Sequence, residues 1–180
     1  MSAPLSVIAP ASRVQRRSAM ALHPTTRGLG VDLVDIAAGL ATSARAVHLD
    51  DGDATRSFAR VLSTSHYDAW IIRWREAAEL RLHDHGRSSG VVQVVDGELV
   101  EVRVETTDTG PSLGSRTLHR GEVVRIPPRT IHAVSNLTCT DALSVHVYSP
   151  PLTRMTFYDG TDGSIVRAES TLLARGAARG

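Results

Sequence analysis

From Trp70 onward the sequence keeps returning to one pattern, short runs rich in β-branched residues with apolar and polar side chains alternating. "AWIIRW", "AELRLHDH", "GVVQVV", "ELVEVRVE", "EVVRIPP", "TIHAVS", "ALSVHVY", "RMTFYDG" and "SIVRAES" are all short, and each is bounded by turn residues. Asp96-Gly97 and "DGTDGS" (Asp159 to Ser164) have hairpin-turn composition, while "TTDTGPSLGS" reads as a longer loop. Upstream the texture differs. In "VDLVDIAAGLATSARAV", Val31 to Val47, the side chains of Val31, Val34, Ile36 and Leu40 share one broad helical face. "ATRSFARVL" then forms either another short helix or a first strand. A helical start followed by many short strands predicts an all-β fold, a sandwich or small barrel of jelly-roll type.

A chain of 180 residues has room for one domain with a sizeable core. The expected layout is a flexible tail over 1–29 and a single domain over 30–180. Within that domain, helices are expected over about 30–66 and the β-barrel over about 67–170. The formal charge of +1 gives no electrostatic reason to expect a nucleic-acid partner. No apolar run approaches the ~20 residues of a membrane span. Every basic side chain is Arg, so a Schiff-base or general-base lysine is excluded. Cys139 is the only cysteine, which excludes an internal disulfide and a Cys-based metal site and fits a reducing, cytoplasmic setting. The first thirty residues hold four Arg and no acid, a composition shared with organelle transit peptides. A disordered basic tail is the simpler reading.

Two of the eight histidines stand one residue apart in "LHDHGRSSG". Strand side chains alternate, so His83 and His85 point the same way and form half of a metal site. "GEVVRIPPRTIHAVSN" separately places Gly121, Pro127, His132 and Asn136 in a recurrent spacing. Together these stretches resemble the two signature motifs of the cupin superfamily. That resemblance implies that both motifs lie on barrel strands and that His83, His85 and His132 converge on one metal. Two positions depart from the pattern: Gly90 stands where the first motif carries Glu, and Arg129 replaces a glycine of the second. Without the Glu, three neutral ligands leave a divalent ion's charge uncompensated, which favours an anionic ligand. An all-nitrogen donor set suits Fe, Cu, Ni or Zn and poorly suits Mg or Ca. At this point a three-His zinc hydrolase stays open.

"ALSVHVYSPPL" puts Ser144, His146 and Tyr148 on one strand face and Val145 and Val147 on the other, close enough for hydrogen bonds in series. With this row the chain resembles the cysteine dioxygenase family, the thiol-oxidising branch of the cupins, over roughly Phe58 to Asp159. That family carries His-x-His, a later third His with the cupin Glu missing, and a Ser-x-His-x-Tyr-Ser-Pro-Pro segment. It also carries an upstream Arg in a Tyr-x-Arg-Asn-Leu context. Here "FARVL" supplies Arg60, with Phe58 in place of the Tyr.

The resemblance implies a mononuclear Fe(II) held by His83, His85 and His132, with O2 as co-substrate. Both oxygen atoms would be added to the sulfur of L-cysteine, giving a sulfinate. It makes Arg60 and Tyr148 substrate-binding residues, Arg60 gripping the carboxylate, and Tyr148, His146 and Ser144 catalytic ones. It also implies a cis Ser149–Pro150 bond, and no Cys–Tyr crosslink, because Gly90 stands where crosslinked members have Cys. The expected partner is a small thiol only, and the expected state a monomer. One alternative is a thiol dioxygenase for 3-mercaptopropionate, whose members tend to carry Gln near the place of Arg60 and lack Ser-Pro-Pro. Another is a non-catalytic ligand-binding cupin. A zinc hydrolase gives the Ser144-His146-Tyr148 row no use. His23, His48, His66 and His119 receive no role.

Overall fold

The computed structural model describes residues 32–51, 55–108, 110–161 and 164–172; the tail expected over 1–29 lies outside them. A helix, α1 (Leu33–Ala41), opens the described chain and a 3-10 turn at Ala44–Ala46 follows it. The strands are β1 (Asp50–Asp51), β2 (Arg56–Ser63), β3 (Asp68–Trp74), β4 (Glu79–Asp84), β5 (Ser89–Asp96) and β6 (Glu98–Thr107). They continue as β7 (Gly110–His119), β8 (Val123–Ile126), β9 (His132–Ser135), β10 (Ala142–Ser149), β11 (Arg154–Thr161) and β12 (Ser164–Leu172).

Two six-stranded antiparallel sheets result, in the orders β1-β2-β3-β10-β5-β8 and β12-β11-β4-β9-β6-β7. The all-β jelly-roll expectation holds. Two local expectations do not. Helical structure was expected over about 30–66 but, among the described residues, ends at Ala46; of the two readings left open for "ATRSFARVL" the strand holds, with Arg56–Ser63 paired to β3. "RSFARVLS" alternates small or apolar outer residues with Phe58 and Arg60, and a neighbouring strand edge turns that period-two pattern into a ladder. The loop expected at "TTDTGPSLGS" is mostly β7, paired to β6 from Glu98↔His119 to Thr107↔Gly110. Its Gly and Pro read as breakers, but β7 ends its sheet order, where a Pro without an N–H is tolerated.

The first sheet is buried on both faces. Toward the second sheet, Trp74, Val92, Val94, Val124, Ile126 and Ala142 meet Leu99 and Val134. On the opposite face, Ala69, Ile71, Val91, Val145 and Val147 are covered by α1 through Leu33, Val34, Ile36 and Leu40. Strand β10 is therefore buried from Ala142 to Tyr148. Its alternation separates two environments: Val145 and Val147 pack under the helix, while Ser144, His146 and Tyr148 face the second sheet.

The helix is anchored by its N-cap residue. Asp32 Oδ1 accepts from the Val34 backbone N–H at 3.0 Å, and Arg125 on β8 donates to both carboxylate oxygens at 3.1 and 2.6 Å. The Arg125 guanidinium, and after it the Val34 N–H, holds the Asp32 carboxyl below its ordinary range. A carboxyl depressed by folding stabilises above its unfolded pKa, and that contribution is lost as pH falls through the folded value. We expect Asp32→Ala to cost about 1 kcal/mol in denaturant titration at neutral pH. The gap from wild type should shrink as pH drops below about 4.

Candidate metal centre

Strand register decides which way the two neighbouring histidines face. Along β4 and β9, Leu80 pairs with Val134, and the next pair is His83 with His132. Three steps on β4 match two on β9, so one extra residue bulges from β4 between Leu80 and His83. Leu80 and Val134 pack into the core between the sheets. Unbroken alternation from Leu80 would send Leu82 inward and His83 and His85 outward; the bulge reverses this. It also leaves the Arg81 carbonyl 2.8 Å from His83 Nδ1, which donates to it.

All three histidines are buried, and one nitrogen from each lies within 4.8 Å of the others. His83 Nε2 is 3.1 Å from His85 Nε2. With its Nδ1–H committed to Arg81, His83 presents a lone pair at Nε2. His132 Nδ1 donates to Glu101 Oε1 at 3.0 Å, while His132 Nε2 is buried without any hydrogen-bond partner. Two nitrogens ~2.1 Å from one ion at a right angle lie ~3 Å apart, so the His83–His85 spacing and the orphaned His132 nitrogen fit a bound metal. Burial, and then the neighbouring His132, pushes the His83 imidazole down to about 3. Burial likewise holds His85 well below its ordinary value. Both are neutral, the form that ligates.

A residue that sequence reasoning missed stands behind His132. Glu101 on β6 is 1% exposed, accepts from His132, pairs with Arg103 Nε at 2.9 Å and accepts from Arg116 Nε at 2.7 Å. Burial pushes its carboxyl up, but the His132 N–H and the two guanidiniums outweigh this and hold it at about 2. A carboxylate behind a ligating imidazole fixes the tautomer and raises ligand basicity. The signal in "ELVEVRVE" was a Glu on the same strand face as the core residue Leu99.

The expected row is present on β10. Ser144 Oγ lies 2.9 Å from His146 Nε2, and His146 Nδ1 lies 3.1 Å from Tyr148 Oη. A further member, also missed from the sequence, begins it: Trp74 Nε1 donates to Ser144 Oγ at 2.8 Å. The Tyr148 ring packs against His85 with centroids 4.6 Å apart, so the row ends beside the histidine cluster. Gly90 sits across from Tyr148 in the ladder, and a Cβ there would come within 3.1 Å of Tyr148 Cε1. The space of a motif carboxylate is thus filled by the tyrosine ring. Burial, and then Asp68, pushes the Tyr148 phenol well above its ordinary value. Burial pushes His146 down to about 3. The Ser149–Pro150 bond is cis.

Arg60 pairs across β2–β3 with Trp70, which pairs across β3–β10 with His146. Directly opposed residues share a face, so Arg60 lies on the same side of the sheet as His146, two strands away. Its guanidinium stacks 5.4 Å from the Trp70 ring centroid, and the ladder shifts register just after it.

A buried three-imidazole cluster on the inner face of the second of two antiparallel sheets defines a metal-binding cupin. The family model for cysteine dioxygenase type I matches residues 40–161, and the chain belongs to that family. Among solved structures, KdgF from Halomonas sp. is 24% identical with a TM-score of 0.50, over 59% of this chain and 90% of that one. A recombinant oxalate oxidase in complex with glycolate is 20% identical with a TM-score of 0.53, over 61% of this chain and 59% of its own. At these identities the likeness shows the cupin fold. Family and three-histidine cluster together support a metal-dependent, dioxygenase-type function.

Replacing Glu101 by Gln keeps an acceptor for His132 but removes the charge. Competitive titration against a chelator should show metal affinity falling roughly 10- to 100-fold for Glu101→Gln.

Proposed function

We propose that the chain is an iron-dependent thiol dioxygenase that adds both atoms of O2 to the sulfur of L-cysteine, giving cysteine sulfinate. The observation that carries this reading is the Ser144-His146-Tyr148 row ending against His85, which a metal-binding or zinc-hydrolase reading leaves without a task. Fe(II) held by His83, His85 and His132 would supply one-electron chemistry toward O2. The reaction balances without an external reductant: sulfur gives up the four electrons that O2 takes up, the O–O bond and the S–H bond break, two S–O bonds form, and the thiol proton leaves.

The chain's own residues account for binding and orientation. Three neutral imidazoles contribute no negative charge, so the centre favours an anionic thiolate. Arg60, stacked on Trp70, offers a planar fork that holds a carboxylate through two charge-assisted hydrogen bonds. Tyr148 stays protonated because burial and Asp68 raise its pKa, and it donates a hydrogen bond to substrate carboxylate or oxygen. Burial of His83, His85, His132 and His146 keeps bulk water from the reacting sulfur. Arg60 and Ser149-Pro150-Pro151 favour L-cysteine over 3-mercaptopropionate. The lone, unpaired Cys139 fits action in a reducing cytoplasm; the proposed partner is a free small molecule and the proposed state a monomer.

Oxygen consumption by the iron-loaded protein should be fastest with L-cysteine when compared with cysteamine and 3-mercaptopropionate. No uptake with any thiol at full iron loading would sink the proposal. Arg60→Ala should raise the KM for cysteine roughly 10- to 100-fold, the loss of a charged hydrogen-bonding pair, with iron content unchanged. An unchanged KM would remove the carboxylate role.

A further inference from the structure

Hydrogen bonds in the row have a direction, and one end is not free to choose it. An indole N–H only donates. Trp74 Nε1 is 2.8 Å from Ser144 Oγ, and both residues are fully buried. Ser144 Oγ therefore gives one lone pair to Trp74. Its other hydrogen-bond contact among the described residues is His146 Nε2 at 2.9 Å. If His146 Nε2 carried the proton, Ser144 would accept twice and its own hydrogen would be buried without an acceptor. That disfavours the arrangement by roughly tenfold or more. In the remaining arrangement Ser144 donates to Nε2, and the single proton of neutral His146 sits on Nδ1. Nδ1–H then donates to Tyr148 Oη at 3.1 Å. Tyr148 accepts from His146, so its own hydrogen is released toward the space beside His85.

We propose that Trp74 is a positioning residue that sets the polarity of the Ser144-His146-Tyr148 row and thereby makes Tyr148 a hydrogen-bond donor into the metal centre. Without the indole N–H the row can run backwards: Tyr148 donates to Nδ1, Nε2–H donates to Ser144, and the phenol oxygen meets the centre as an acceptor. The two polarities select opposite ligands. A donor phenol welcomes a carboxylate or an electron-rich oxygen, and an acceptor phenol repels both. The proposal rests on the reading of Tyr148 given above, but the tautomer it requires is a property of the protein alone.

The test is long-range 15N–1H correlation on histidine-labelled protein loaded with diamagnetic Zn(II), with His146 assigned by its loss in His146→Gln. The expected pattern is a pyrrole-type Nδ1 and a pyridine-type Nε2 in a single tautomer. The reverse pattern, averaged shifts or a doubly protonated ring would overturn the proposal. In Trp74→Phe the single-tautomer pattern should be lost, while its persistence would show that Trp74 does not set the direction. Should Trp74→Phe not fold, Ser144→Ala cuts the same link with a smaller change and should lose the pattern likewise. Retention there would count equally against the proposal. A protein that oxidises no thiol yet shows the Nδ1–H tautomer would fail the functional reading and leave the polarity standing.

Discussion

The Nε2 atoms of His83 and His85 face each other at 3.1 Å inside a β-sandwich, with the unpartnered His132 Nε2 close by. Nitrogen lone pairs brought together in a dry interior repel unless a cation or a shared proton lies between them. The surroundings hold the rings in place against that repulsion from the outer side. Arg81 offers a carbonyl to His83, and Glu101 offers a carboxylate to His132. A buried carboxylate is itself expensive, and Arg103 and Arg116 meet that cost. The compensation runs outward until it reaches Arg116, whose side chain is 47% exposed, where water takes over.

This arrangement works because the first sheet is covered on both faces. Helix α1 shields the face bearing Val145 and Val147, so the opposite face of β10 can be given to polar residues without opening the strand to solvent. Buried polar groups are tolerable only when satisfied, and Trp74, Ser144, His146 and Tyr148 satisfy one another in line. Gly90 completes the device by leaving the Tyr148 ring room where any side chain would press on it.

Much of this was legible in one dimension. Period-two alternation identified the strands from β3 onward except β7, and put Ser144, His146 and Tyr148 on one face. Motif spacing singled out His83, His85 and His132. The errors have physical causes. "ATRSFARVL", left open between helix and strand, became β2 because a partner edge was available, something no local window contains. "TTDTGPSLGS" became mostly β7 because glycine and proline are penalised less at the end of a sheet than inside one. Glu101 and Trp74 were passed over since a lone Glu in a strand and a lone Trp read as surface and core until their partners are known.

The sequence by itself determined the chemistry within reach: three imidazoles without a motif carboxylate, a hydroxyl–imidazole–phenol row, a guanidinium upstream and a glycine at position 90. These follow from residue identity and from spacing along single strands, which are local properties. Only the tertiary structure decided that the bulge before His83 turns His83, and His85 just past the end of β4, inward, that Glu101 backs His132, and that Trp74 heads the row. Those facts depend on register and packing between strands distant in the chain. A one-residue slip between β4 and β9 would send the same histidines to the opposite face.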